Sequence, residues 1–523
     1  MINNSTYYNP ILPGFYPDPS IARAGEDYYL CTSTFEFFPG VPLFHSRNLA
    51  NWEQIGHCLT RESQLPLEGA FPSTGIFAPT LRYHNGKFYM ITTNMTQLIK
   101  TGKGNFIVQA ADPAGEWSEP VWIEHGGIDP SLYFEGDKAY YCGTGFDEKG
   151  QGIVLFEINP DTGEILSKKK TISYGCGGKC PEAPHIYKIN GFYYLLLAEG
   201  GTEYGHMVTI QRSGNIWGPY EPCPDNPVLS HRDYNDALVQ CVGHADLLED
   251  HNGNWWMVCL GVRPIGPHLH HLGRDTYLVP VEWKDNWPYP ATPKVTLEMQ
   301  GPLPSEAFER SSNFHTDFEE DRLPHEFNYI RNPKPEDYVL DWKNSRMILK
   351  GEKKGLSGGT HSPTFLGIRQ KEFWTETTVR LNLELAAGTI AGLTAYYMDT
   401  HHYEIRVVSG ESGLMVELNK CIYDLEGVAA SHAIQGKMID LRIQSTKDKY
   451  LFSYSLDGGE FTAIGEGRTA GLATEITEVM TFTGTYIGIF AQNGMAEFDF
   501  FDSTWIDTAA GNELEEKMMY PDC

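Results

Sequence analysis

The N-terminal part of the chain repeats itself five times, and this constrains the fold more than any other feature of the sequence. Each unit opens on a small or charged residue, usually followed by Pro. An apolar residue, a turn and a pair of aromatics come next. The units read Asp18-Pro19-Ser20-Ile21 with Gly25 and Tyr28-Tyr29, then Ala78-Pro79-Thr80-Leu81 with Gly86 and Phe88-Tyr89. They continue with Asp129-Pro130-Ser131-Leu132, Gly136 and Tyr140-Tyr141, then Ala183-Pro184-His185-Ile186, Gly191 and Tyr193-Tyr194. The fifth is His244-Ala245-Asp246-Leu247, Gly253 and Trp255-Trp256. Starts lie 60, 51, 54 and 61 residues apart, and the second aromatic falls 11 or 12 residues after each start. A Gly- or Asn-containing turn between apolar runs predicts a hairpin. Units of this length fit propeller blades of four strands, and long capped helical patterns are absent. The expected fold is therefore all-β, with a five-bladed β-propeller at the N-terminus.

The first strand of each blade lines the central channel of a propeller, so repeat-equivalent residues should converge on one axial site. Those positions hold Asp18, Ala78, Asp129, Ala183 (with Glu182 just before it) and His244. An Asp before Pro also caps turns, and a single one would say little. Three carboxylates at equivalent or adjacent places of one repeat point instead to a functional cluster. His244 reads either as a satisfied interior residue or as a ligand, since neutral imidazole binds metals readily.

Composition narrows the partners. With 40 basic against 68 acidic residues the net charge is −28, a surface that repels phosphate backbones and disfavours nucleic acid. Aromatics make up 13% of the chain, which suits both β structure and stacking on flat sugar faces. Ten irregularly spaced cysteines are too sparse for a disulfide scaffold. Cys176 and Cys180 form an isolated C-x3-C pair with no second pair to complete a zinc site. No stretch approaches the ~18 apolar residues that span a membrane. The segment from Met1 to Thr6 has neither a basic region nor an apolar run, so the cytoplasm is the expected location.

Four motifs carry a resemblance to a known family. They are Asn9-Pro10-Ile11-Leu12-Pro13-Gly14-Phe15-Tyr16-Pro17-Asp18-Pro19-Ser20 and Thr32-Ser33-Thr34-Phe35-Glu36-Phe37-Phe38-Pro39-Gly40, then Pro181-Glu182-Ala183-Pro184-His185-Ile186-Tyr187 and Leu272-Gly273-Arg274-Asp275-Thr276. In this order they resemble glycoside hydrolase family 43, its β-xylosidases and α-L-arabinofuranosidases in particular. The resemblance implies a propeller followed by a β-sandwich, with Asp18 as general base, Glu182 as general acid, and Asp129 tuning and orienting that acid. It further implies that Arg274 binds sugar hydroxyls, that Phe35 and Phe77 pack against the sugar, and that Phe482 closes the rim of the pocket. Phe77 stands where the family more often has Trp, which reduces the stacking area. Relatives can hold a divalent ion, often calcium, beside the residue matching His244, although calcium prefers oxygen ligands. Relatives are often dimers or tetramers, so a homo-oligomer is a further expectation.

The chemistry of inversion agrees with that set. One carboxylate activates water while a protonated second assists the leaving oxygen from the opposite face, roughly 6.5–9.5 Å away. A third carboxylate nearby would raise the acid's pKa. A propeller lectin would need aromatic pockets but no paired carboxylates. Retaining fructan-cleaving propellers carry Asn-Asp-Pro-Asn, from which Pro17-Asp18-Pro19-Ser20 departs.

Pro-rich Trp287-Pro288-Tyr289-Pro290 and Gly301-Pro302-Leu303-Pro304 close the repeats. From about Phe314 the pattern becomes alternating strands, such as Thr377-Thr378-Val379-Arg380-Leu381-Asn382-Leu383, as in a jelly-roll-like sandwich. The expected domains are a catalytic propeller over 1–304, a sandwich over 314–508 and a tail over 509–523. The expected activity is exo-acting, inverting hydrolysis that releases terminal β-D-xylose or α-L-arabinofuranose from xylan-derived oligosaccharides, with no cofactor required. The short His-rich segment between Arg263 and Arg274 should leave the pocket mouth open.

Overall fold

A computed structural model describes residues 5–508 and 510–512 of the chain; the rest of the expected tail lies outside the described residues. The chain is an all-β protein that divides into two compact units. The first comprises Met1–Leu67, Thr74–Arg263 and Arg274–Glu309; the second comprises Glu68–Ser73, Pro264–Gly273 and Arg310–Cys523. Among the described residues no helix is long and apolar enough to cross a membrane.

In the first unit each sequence repeat builds one antiparallel sheet whose strands pair in chain order. The first strands are Ser20–Ala24, Thr80–His84, Ser131–Glu135, Glu182–Ile189 and Gln240–Glu249. Each packs against the first strand of the next sheet, and the fifth packs against the first, so the cycle is closed. The hairpins form where the turn residues allow them. Asn85-Gly86 and Asn190-Gly191 both have positive φ at their two central residues, the geometry that matches the twist of the flanking strands. The paired aromatics stand on the second strands. Tyr28, Tyr141, Tyr194 and Trp256 are fully buried and pack between sheets.

The N-terminal segment fastens the first sheet to the fifth. Strand Ser5–Tyr8 pairs with Glu298–Gly301. Asn9 accepts the Leu278 N–H at 2.9 Å and donates to the Leu278 carbonyl at 3.0 Å, acting as one more rung. Leu12 and Thr276 form an isolated bridge. The two motifs around Asp18 and Arg274 are thus one piece of structure.

The second unit is a sandwich of an eight-stranded and a six-stranded sheet. Strand Trp374–Asn382 alternates as the sequence predicts: Val379 and Leu381 enter the core, while Arg380 on the opposite face pairs with Asp440 at 2.7 Å. Leu393, Ile405 and Val407 of the six-stranded sheet join the same core.

Segment 264–273 groups by its contacts with the second unit. His270 pairs with Glu475 at 2.7 Å, and His271 Nδ1 lies 3.0 Å from the Tyr450 hydroxyl. Leu272 packs with Phe373 and Trp374. Buried imidazoles with specific partners hold the segment, which the sequence read only as short and His-rich.

Candidate active site

Asp18, Asp129, Ala183 and His244 all adopt left-handed backbone, with φ between 48° and 56°. For residues with a Cβ this conformation costs roughly 1–2 kcal/mol and persists only where the surroundings hold it. Four of the five repeats therefore carry a backbone signature at the equivalent position as well as a sequence one.

Asp18 is buried and fully engaged. Arg274 Nη1 donates to Oδ1 at 2.8 Å and Nη2 reaches Oδ2 at 3.4 Å. The Ser33 hydroxyl donates to Oδ2, and His244 Nδ1 lies 3.5 Å from Oδ1. Burial pushes the Asp18 pKa up, but the Arg274 guanidinium, His244 and the Ser33 hydrogen bond outweigh it and hold it below the ordinary carboxylate value. The carboxylate is ionised at neutral pH.

Asp129 and Glu182 behave in the opposite way. Burial pushes Glu182 up to about 7; the charge of Asp18 adds to this and that of Arg274 opposes it. Burial, then the charges of Glu182 and Asp18, drive Asp129 well above its ordinary value, against Arg274 and the Ala183 N–H that donates to it. Two buried carboxyls that repel each other retain a proton between them near neutral pH. One ionised carboxylate and a protonated pair are thus set apart by environment alone.

The remaining expected residues fall into two groups. The Phe35 and Phe77 rings pack edge to face at 5.3 Å between centroids, and the Arg274 guanidinium lies 5.6 Å above the Phe35 ring. Arg274 is itself buried, so it is a site cation rather than a surface ion-pair partner. Phe482 belongs to the second unit, where it is half-buried in a loop rather than a strand, its N–H donating to Ser73 Oγ at 2.8 Å.

Burial lowers the His244 pKa below the ordinary imidazole value, with Asp18 opposing and Arg274 assisting, so the ring is neutral. Among the described residues no group of three or more His, Cys, Asp or Glu side chains could hold a metal ion. The Asp18 oxygens facing His244 are already taken by Arg274 and Ser33. These residues do not make a protein donor set for calcium.

The sequence reading missed a second layer. Asp246, fully buried, accepts from Ser20 Oγ at 2.7 Å, from Arg82 Nη1 at 2.9 Å and from the Tyr187 hydroxyl. Arg82 Nη2 also donates to His185 Nδ1 at 2.7 Å. Burial opposes its charge, but Arg82 and His185 hold the Asp246 pKa well below the usual range. The signal was present: Ser20, His185 and Asp246 stand two residues after the repeat-equivalent position, and Arg82 and Tyr187 four after it. Even offsets along a strand share a face.

Comparison with known proteins agrees with this fold and this chemistry. Residues 7–288 match the model of Glycosyl hydrolases family 43, and residues 315–504 match that of the beta xylosidase C-terminal concanavalin A-like domain. A non-reducing end alpha-L-arabinofuranosidase of Bacteroides ovatus is 39% identical, covering 96% of this chain and 95% of its own. A beta-xylosidase of Bacillus subtilis is 35% identical, covering 93% and 96%. The solved structure of Bacteroides ovatus Xyloglucan PUL GH43B superposes with a TM-score of 0.90 at 37% identity, covering 96% of this chain and 100% of that one. The chain belongs to glycosyl hydrolases family 43, with a C-terminal concanavalin A-like domain.

Proposed function

We propose that the protein is an exo-acting, inverting glycosidase that removes terminal β-D-xylose and α-L-arabinofuranose from xylan- or arabinoxylan-derived oligosaccharides. The observation that carries the mechanism is the pairing of Asp18 with Arg274 at 2.8 Å and with the Ser33 hydroxyl, which favours its ionised form, whereas burial pushes Glu182 up to about 7. We read the closed cycle of five sheets as a five-bladed propeller, whose first strands deliver these side chains to one end of the axis.

In this reading Asp18 accepts a proton from a water molecule as the water's oxygen attacks the anomeric carbon. The bond from that carbon to the glycosidic oxygen breaks, and Glu182 gives its proton to the departing oxygen. The products are a free pentose of inverted configuration and a shortened oligosaccharide. Asp18 is left protonated and Glu182 ionised, and exchange with solvent restores both. Asp129 shares the proton load with Glu182, and its bond from the Ala183 N–H ties it to the strand that carries the acid. Arg274 holds the base ionised and presents a cation to sugar hydroxyls, with Phe35 and Phe77 as an apolar wall. No step passes through a metal ion.

Both relatives' named activities fit one pocket, because xylopyranose and arabinofuranose present similar hydroxyls around the scissile bond. Where pocket fit alone discriminates, the two rates should lie within about two orders of magnitude. A panel of nitrophenyl pentosides and xylobiose, with the first-formed anomer followed by NMR, tests the proposal. Inverted product and action on both pentosides are expected. Retained configuration would overturn the mechanism, and action on one pentoside alone would overturn the dual specificity.

A further inference from the structure

A fourth carboxylate lies behind the site. Glu199 ends strand Phe192–Glu199, one residue beyond Ala198, which is in register with Glu182. It is completely buried. Its Oε1 accepts the Cys176 N–H at 2.8 Å and the Thr209 hydroxyl at 2.6 Å, and its Oε2 accepts the Gly178 N–H at 2.7 Å. Both oxygens therefore face donors. An amide in its place would set one of its hydrogens against the Cys176 or the Gly178 N–H.

The clamped backbone is the loop leading directly into Glu182. Other ties hold it at its ends: the Gly175 N–H donates to Ser173 Oγ at 3.0 Å, the Gly200 N–H donates to the Lys179 carbonyl at 2.8 Å, and Gln151 Nε2 donates to the Pro181 carbonyl at 3.1 Å, while Asn226 Nδ2 reaches Cys176 Sγ at 3.2 Å. A Cβ on Gly178 would lie 2.2 Å from Met207 Cε and 2.8 Å from Glu199 Cβ, so the loop sits as close to the carboxylate as backbone allows. On the other side of Glu199 the chain turns through Gly200 and Gly201, at φ 93° and 72°, to Thr202. The Thr202 hydroxyl accepts from Arg274 Nη1 at 3.3 Å, and the same nitrogen donates to Asp18. One buried carboxylate thus anchors the segment carrying the acid and the turn that touches the partner of the base.

We propose that Glu199 is a positioning residue that aims the Glu182 carboxyl at the leaving oxygen by clamping the loop in front of it. The inference rests on the assignment of Glu182 as general acid. A misaimed acid fails most where the leaving group needs its proton, and a displacement of about 1 Å can cost about a hundredfold.

The test compares xylobiose, a poor leaving group, with dinitrophenyl β-D-xyloside, which departs without protonation. For Glu199→Gln, kcat on xylobiose should fall about a hundredfold and kcat on the activated xyloside by less than about fivefold. KM should change less than kcat on xylobiose, because Arg274, Phe35 and Phe77 are not themselves substituted. Thr209→Val removes one of the three donors without altering the carboxylate. It should give the same selectivity at about tenfold on xylobiose, and it decides the matter if the first variant does not fold. Equal losses on both substrates, or no loss on either, would overturn the positioning role. Glu182→Gln is measured in parallel. If it lacks the leaving-group selectivity, the acid assignment itself falls. If it has the selectivity and both Glu199→Gln and Thr209→Val lack it, the clamp alone falls.

Discussion

Arg274 and Asp18, 256 residues apart in the chain, form a buried ion pair with Nη1 2.8 Å from Oδ1. The guanidinium is the strongest influence opposing the burial of the Asp18 carboxylate, so it governs the base as well as facing the sugar pocket. Arg274→Ala should therefore move the acidic limb of kcat/KM upward and raise KM. Arg274→Lys should shift the limb less, because it keeps the charge but loses the fork. A pH–rate profile of each variant checks this; an unmoved acidic limb in Arg274→Ala would restrict the arginine to binding.

The two catalytic carboxylates should be separable by leaving group. Asp18→Ala should lower turnover of every substrate by at least about a thousandfold, since it removes the carboxylate assigned to activate water. Glu182→Ala should cost far less on an activated aryl pentoside than on xylobiose. Steady-state rates on both substrates check the assignment, and near-native turnover of xylobiose by either variant would refute it.

The raised pKa of Glu182 also makes a statement about stability. Its folded value, about 7, lies above its ordinary value of 4.5, so the carboxyl is stabilising in relative terms below about 4.5 and loses that contribution as pH rises through 7. The loss amounts to about 3 kcal/mol if the group stays buried. Activity should decline over the same upper range, because the acid loses its proton. Glu182→Gln removes the titration, so its melting transition should gain on the wild type at pH 8 relative to pH 4.5. Parallel melting curves of the two proteins would show no such divergence if the carboxyl were solvated.

Asp246 should matter to folding more than to chemistry. Asp246→Ala leaves the partly buried Arg82 without its carboxylate partner, a change that costs about 1–3 kcal/mol. Denaturant unfolding should show the loss, and pairing the change with Arg82→Met should recover part of it. A loss unchanged by the second substitution would mean the two residues are not coupled.

Metal removal tests His244. The histidine faces a carboxylate already satisfied by Arg274 and Ser33, so activity should be unchanged in excess chelator. Loss of activity that calcium restores, with calcium found by elemental analysis, would make His244 a ligand.

Much of this protein was legible before any coordinates. The five-fold spacing identified which strands begin the five sheets, because a hairpin turn and a period-2 burial pattern are local properties of the chain. Asp18, Glu182 and Arg274 could be singled out for the same reason: a repeat, or a motif, labels equivalent places without saying what lies between them. The alternation through Val379 and Leu381 likewise announced which face of the second unit would be buried.

What those residues do to one another is a matter of distance in space. The sequence held Arg274 to be a sugar-binding cation, and only the fold set it on Asp18. Segment 264–273 read only as short and His-rich, and the fold supplied the partner of His270 in Glu475. Glu199 was invisible as a single acidic residue in a strand, and the repeat offset could place Asp246 on a face without naming its partners. Their roles come from donors contributed by distant segments, and from burial that leaves a carboxylate no water to fall back on. The chain alone determined where strands start and which side chains share a face, since those follow from backbone geometry over a few residues. Which carboxyl is ionised and which keeps its proton was decided by the tertiary structure, because that depends on desolvation and on charges brought close from hundreds of residues away.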